Sequence, residues 1–216
     1  HDVFVNTCGV MLATLDVTGN YSVQTLPGHI AVSRGTAESV IAAVGDSVLY
    51  DGEPHGIPAP VVSVLAQGGV SINRTEDFDL LYTVTLAGST DSWQFTDAAD
   101  MDLTEAGEYT IVISATSELH ANPVSKTVTL NILPRPLLVQ SGDNSAAPYT
   151  YTGQTQRVSG TAMVLGLLET DRLTNLTYET GQSNEAVDVI DRAVLLNSVT
   201  VMQGRRDVTA NYLPQF

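Results

Sequence analysis

The stretch "EAGEYTIVISA" (105–115) decides the fold. An acidic residue, a glycine two positions on, a tyrosine two after that and then alternating apolar residues describe a strand entered through a corner. Period-two spacing puts Tyr109, Ile111, Ile113 and Ala115 on one side of a pleated strand. A tyrosine at such an entrance packs its ring inward while its hydroxyl bonds to backbone upstream. Two further stretches, "LYTVTLAG" (81–88) and "TVTLNIL" (127–133), alternate in the same way, and each is bounded by Gly, Pro, Asn or Asp. One helix candidate stands against them, "GTAESVIAAV" (35–44); its small-residue run suits a turn or two of helix, and Ser-Val-Ile-Ala-Ala-Val suits a strand equally.

The expected fold class is therefore all-β. A hydrophobic fraction of 43% is enough to fill cores in small units, and aromatic residues at 6% supply one or two core anchors each. The corner around Glu105, Gly107 and Tyr109 is the tyrosine corner of immunoglobulin-like (Ig-like) sandwiches, and Ile111 stands where a disulfide-bearing domain of that kind places its second cysteine. The expected core is apolar rather than stapled. Trp93, in "DSWQF", is the sole tryptophan and is expected to anchor a sheet or the core, with ligand stacking as the other reading.

Working outward, "FVNTCGVMLATLDVTGNY" (4–21) aligns without gaps with "LLNSVTVMQGRRDVTANY" (195–212), identical at eight of eighteen positions. A second marker runs at another phase, "LYDGEPHG" (49–56) against "TYTGQTQR" (150–157), which separates Tyr50 from Tyr151 by about one small domain. Such spacing reads as tandem units: 1–35 as the closing portion of a repeat or a donor segment, 36–135 as an Ig-like repeat, and 136–216 as an Ig-like repeat lacking its last strand.

At these motifs the chain resembles the bacterial Ig-like repeats with a Tyr-Asp-Gly opening, the MBG type, which occur in tandem on long secreted and cell-surface proteins. The resemblance rests on "LYDGEPHG" (49–56) and on "EAGEYTIVISATSELHANPVSKTVTLNILPRPLLVQ" (105–140), and in the third unit on "YTYTGQTQRVSG" and "DVTANY". Thr152 departs from the opening Asp, and 169–193 follows the family only loosely. The resemblance implies an extracellular, cell-surface location, with neighbouring repeats as partners. Each motif has a physical reading of its own. Gly52 and Gly153 allow positive φ in an opening turn beside Tyr50 and Tyr151; Pro134 and Pro136 lack amide donors and suit a semi-rigid junction; and "DVTANY" offers turn-forming Asp and Asn with a tyrosine, Tyr212, to bury in the next strand.

The charge excludes some partners. Formal net charge is −15, and no Lys or Arg lies between Arg74 and Lys126. A surface of this sign repels phosphate backbones and anionic membranes, so nucleic acid is not expected as a partner. No apolar run reaches the length of a membrane span, and "HDVFVNTCGV" lacks the features of a signal peptide. Cys8 is the single cysteine, which leaves no disulfide framework within one chain; its alignment with Val199 predicts a buried small side chain.

No catalytic arrangement has the needed spacing: there is no G-x-S-x-G, H-E-x-x-H, P-loop, G-x-G-x-x-G or C-x-x-C, and the four histidines are scattered. The chain is expected not to be an enzyme and to carry no cofactor. Calcium is the one cation weighed, at Asp97, Asp100, Asp102 and Glu105, although "DAADMDLTE" lacks the calcium-loop spacing. "NYS" (20–22), "NRT" (73–75) and "NLT" (175–177) fit the glycosylation acceptor pattern. The expected role is a non-catalytic stalk; the alternatives are a filament joined head to tail, with 21–33 completing the last unit of another copy by strand addition, and a module binding a glycan or host protein.

Overall fold

The computed structural model describes residues 2–3, 8–22, 24, 28–66, 68–142, 150–157, 161–178, 185–186 and 195–216. Among them there are strands and single turns of 3-10 helix but no α-helix. The N-terminal piece holds β1 (Asp2–Val3), β2 (Met11–Leu12), β3 (Leu15–Asp16) and β4 (Gly28–His29). The middle unit holds β5 (Ser39–Ala42), β6 (Asp46–Leu49), β7 (Val61–Leu65), β8 (Ser71–Asn73), β9 (Asp79–Leu86), β10 (Ser92–Phe95), β11 (Gly107–Thr116) and β12 (Val124–Leu133). The C-terminal unit holds β13 (Arg135–Ser141), β14 (Gln156–Arg157), β15 (Thr161–Leu165), β16 (Asp171–Tyr178), β17 (Glu185–Ala186), β18 (Leu196–Gln203), β19 (Arg206–Asp207) and β20 (Tyr212–Gln215).

The alternating stretches form the middle unit's larger sheet, ordered β10-β9-β11-β12-β6, and a smaller one, β5-β7-β8, faces it. Tyr82, Val84, Ile111, Ile113, Leu130 and Ile132 from the first meet Ile41, Val62 and Val64 from the second in one buried core. This is β-sandwich-like packing, with these inward positions supplied by the period-two faces of their strands. The C-terminal part holds two three-stranded sheets, β15-β13-β20 and β16-β18-β19, from which Leu137, Val139, Val199 and Val201 are buried. No described sheet crosses Pro134, which stands alone between β12 and β13. The residue that cannot donate to a ladder marks the change of sheet.

Several expectations change here. The 35–44 helix candidate is strand β5, because Ile41 is buried between sheets while Val40 faces out. Gly35, counted with the N-terminal piece, bridges to His120 and so belongs to the middle unit. Trp93 lies in edge strand β10, opposite Val84, and is 40% exposed; it is a sheet residue and not a core anchor. Cys8 is exposed, unlike its aligned Val199, since among the described residues no second sheet covers the β2–β3 hairpin. Residues Tyr212–Gln215, at the end of 136–216, form strand β20, which pairs in parallel with Arg135–Leu138. In the proposed donor segment, Gly28–His29 pairs with Asp2–Val3 of the same chain. Residues 4–7 of the repeat alignment, and Val23, Thr25, Leu26 and Pro27 of the donor segment, lie outside the described residues.

Candidate inter-unit joint

One local structure occurs three times. In "DVTGNY" (16–21), "NRTEDF" (73–78) and "DVTANY" (207–212), the side chain of the first residue accepts from the threonine N–H two positions on: Asp16 from Thr18 at 2.9 Å, Asn73 from Thr75 at 3.1 Å and Asp207 from Thr209 at 2.9 Å. The threonine hydroxyl then accepts from a backbone N–H earlier in the hairpin: Val10 at 2.8 Å, Val62 at 2.9 Å and Val201 at 2.8 Å. A single 3-10 turn follows in each, ending at an aromatic residue in extended conformation. This is an Asx-turn that hands the chain from a hairpin to its next segment. The hydrogen bonds from Thr18 and Thr209 hold the Asp16 and Asp207 carboxyls below the usual carboxylate range. The sequence alignment missed the 73–78 copy; Asx-x-Thr-x-Asx-aromatic was the signal, and the Asn-x-Thr triplet concealed it. Asn73 spends its side-chain oxygen on this turn.

The three aromatic ends differ in surroundings. Phe78 stacks on His120 at 5.1 Å and 4°. Tyr21 is 59% exposed. Tyr212 is 4% exposed, and what covers it comes from both units.

On the C-terminal unit's side, the Tyr212 hydroxyl donates to Asp171 Oδ2 at 2.6 Å and accepts from the Leu168 N–H at 3.3 Å. On the other side its ring meets Tyr50 edge to face, with centroids 5.5 Å apart and planes at 76°. Burial, then the Asp171 carboxylate, push the Tyr212 hydroxyl well above the usual tyrosine range, and burial raises Tyr50. Tyr50 itself follows β6, its N–H donating to Leu133 O at 2.9 Å. Next to it the Asp51 side chain accepts from the Glu53 N–H at 2.9 Å, with His55 Nε2 at the same distance, which holds the Asp51 carboxyl low. Gly52 closes that turn at φ +83°.

Asn211, 1% exposed, clamps the tyrosine corner of the middle unit. Its Oδ1 accepts from the Ala106 N–H at 2.8 Å and its Nδ2 donates to Glu105 Oε2 at 2.9 Å. Arg206 pairs with the other Glu105 oxygen at 2.7 Å. The same Glu105 gives its backbone carbonyl to the Tyr109 hydroxyl at 2.8 Å, closing the corner, and Gly107 opens β11 where a Cβ would press on Leu86. Arg135 ties the seam, Nε donating to Gly166 O at 2.7 Å and Nη1 lying 3.5 Å from Tyr50 O. A buried amide with both ends satisfied across a boundary fixes orientation as well as adding energy. The Arg206–Glu105 pair is partly exposed and contributes under about 1 kcal/mol.

The other predicted site residues fall elsewhere. Asp97 caps the 3-10 turn Ala98–Asp100, accepting from Ala99 N at 2.9 Å, and Glu105 is committed to the joint. The acidic stretch with Asp100 and Asp102 does not converge, and among the described residues no group of three or more His, Cys, Asp or Glu is placed to hold a metal ion. Among the described residues no helix is long and apolar enough to cross a membrane. Tyr151 is 61% exposed beside Gly153 at φ +71°.

The chain matches no protein-family model, no curated protein and no solved structure. Tyr109→Phe is expected to lower unfolding free energy by roughly 1 kcal/mol, read by urea titration, since it removes one buried hydrogen bond and leaves the Glu105 carbonyl short of a donor.

Proposed function

We propose that this chain is a non-catalytic spacer: a run of tandem Ig-like β-sandwich units, of the type its Tyr-Asp-Gly and Asp-Val-Thr-x-Asn-Tyr motifs resemble, in an extracellular bacterial surface protein. The carrying observation is the Asn211 clamp. A buried side chain whose amide nitrogen and oxygen are both engaged by the preceding unit's corner does little for a ligand and a great deal for the angle between units. Together with the one-residue link at Pro134, it makes the pair of units a stiff length of rod.

The experiment is small-angle scattering of the full chain beside Asn211→Ala. The spacer reading expects an elongated particle of fixed maximum dimension, and a broader, more variable one when the clamp is removed. Saturable binding of a glycan or host protein, abolished by Trp93→Ala with the particle's shape unchanged, would favour a binding module instead.

A further inference from the structure

We propose that a cleft at the edge of the middle unit binds a primary ammonium group on an alkyl stem, as a free diamine or a lysine side chain carries. The site lies wholly within the middle unit, so it goes beyond the spacer reading and does not depend on the joint. Three observations carry it.

The first is a notch in the larger sheet. Strand β10 ends at Phe95 opposite Tyr82, whereas β9 starts three residues earlier, at Asp79, and there it pairs with β11 alone. Past Phe95 the chain enters the Ala98–Asp100 turn instead of following β9. A cleft of about 580 Å³ opens here, lined on its apolar side by Phe78, Leu80 and Pro60. Such a lining covers an alkyl stem while leaving a charged head at the rim.

The second is charge. Asp79 and Asp97 both line the cleft and both are exposed, and no Lys, Arg or His lines it. One Asp97 oxygen accepts from the Ala99 N–H, and Asp79 has no side-chain partner among the described residues. An anion is repelled here, and a cation meets two carboxylates.

The third is Tyr82, which is 2% exposed and lines the same cleft. Its hydroxyl has no hydrogen-bond partner among the described residues. Ser39 Oγ and His120 Nδ1 are the unpaired side-chain atoms sealed from solvent, so the Tyr82 oxygen is open to the cleft. Burial, then the Asp97 carboxylate, raise this hydroxyl above the usual tyrosine range and keep it neutral. The Thr75 hydroxyl, by contrast, is spent on its own turn. A primary ammonium has three N–H donors and no acceptor, which two carboxylates and a hydroxyl oxygen match.

The test is an amide-resolved NMR titration of the full chain at neutral pH. The probes are cadaverine, N-acetyl-lysine methylamide and the same amide acetylated on Nζ. The expected result is saturable shifts at 75–82 and 96–97 with both amines, at a Kd in the millimolar range for ligands this small. Asp79→Asn and Asp97→Asn should each weaken binding about threefold or more, and Asn at 97 still caps its turn. Tyr82→Phe should weaken it at least about twofold and leave the melting temperature unchanged, unlike Tyr109→Phe. Tighter binding of cadaverine assigns the cleft to free amines, and tighter binding of the lysine amide assigns it to a partner's lysine. No saturable shift with either amine, equal binding of the acetylated probe, or binding untouched by both Asp variants would overturn the proposal. So would a Tyr82→Phe variant destabilised as much as Tyr109→Phe, because its hydroxyl would then have a partner. None of these outcomes alters the scattering expected of the spacer.

Discussion

Tyr212→Ala should lower the stability of the C-terminal unit by about 3–5 kcal/mol, the usual cost of emptying a buried aromatic site. Three losses combine. The ring leaves a cavity at the start of β20, the Asp171 carboxylate loses its shortest partner, and the Leu168 N–H loses its acceptor. Asp171 is 8% exposed and keeps Thr170 and Gln203 as donors, so it is weakened rather than orphaned. Tyr50 loses its edge-to-face neighbour, worth about 0.5–1.5 kcal/mol, and the middle unit should fall by that smaller amount. Urea unfolding followed separately in the two units checks the split. Tyr212→Phe keeps the ring and should recover most of the loss; equal effects from both changes would mean that the hydroxyl, not the packing, matters.

Gly166→Ala is expected to cost about 3 kcal/mol or more, combining a left-handed residue with a backbone overlap. Gly166 sits at φ +92°, and a Cβ there would run into the Pro136 carbonyl, which belongs to the strand and cannot move aside. Its own carbonyl receives Arg135, so any shift also loosens the seam beside Tyr50. Gly204→Ala is the matched control. That residue is also left-handed, at φ +59°, but nothing lies within 4 Å of the added carbon, so about 1 kcal/mol is expected. Thermal melts of the two variants measure the difference, and similar melting temperatures would refute the overlap.

What the sequence disclosed follows from which forces are local. The strands β9, β11 and β12 were legible because alternation in one segment states which face is buried. The corner was legible because Glu105 and Tyr109 lie four residues apart and their hydrogen bond is made inside that span. The repeated turn was half legible: Asp-Val-Thr-x-Asn-Tyr was found twice, while its third copy was hidden by an Asn for Asp and a Phe for Tyr, exchanges that leave the hydrogen bonds intact. The joint was not legible at all, since Asn211 finds Glu105 across 106 residues and nothing near Asn211 announces that partner. Cys8 misled for a related reason. Residue type predicts burial only where a second layer exists to cover it, and that is a property of the assembled sheets.

The central claim is that the Asn211–Glu105 clamp and the Tyr50–Tyr212 contact hold the two sandwich-like units at one fixed angle. Residual dipolar couplings measured on the backbone amides of the middle and C-terminal units, in a weakly aligned sample of the full chain, test it most directly. The account predicts that a single alignment tensor, equal in magnitude and direction, fits both units, and that Asn211→Ala splits it into two. Two different tensors in the unaltered chain would contradict it, because units free to swing across Pro134 would not be joined.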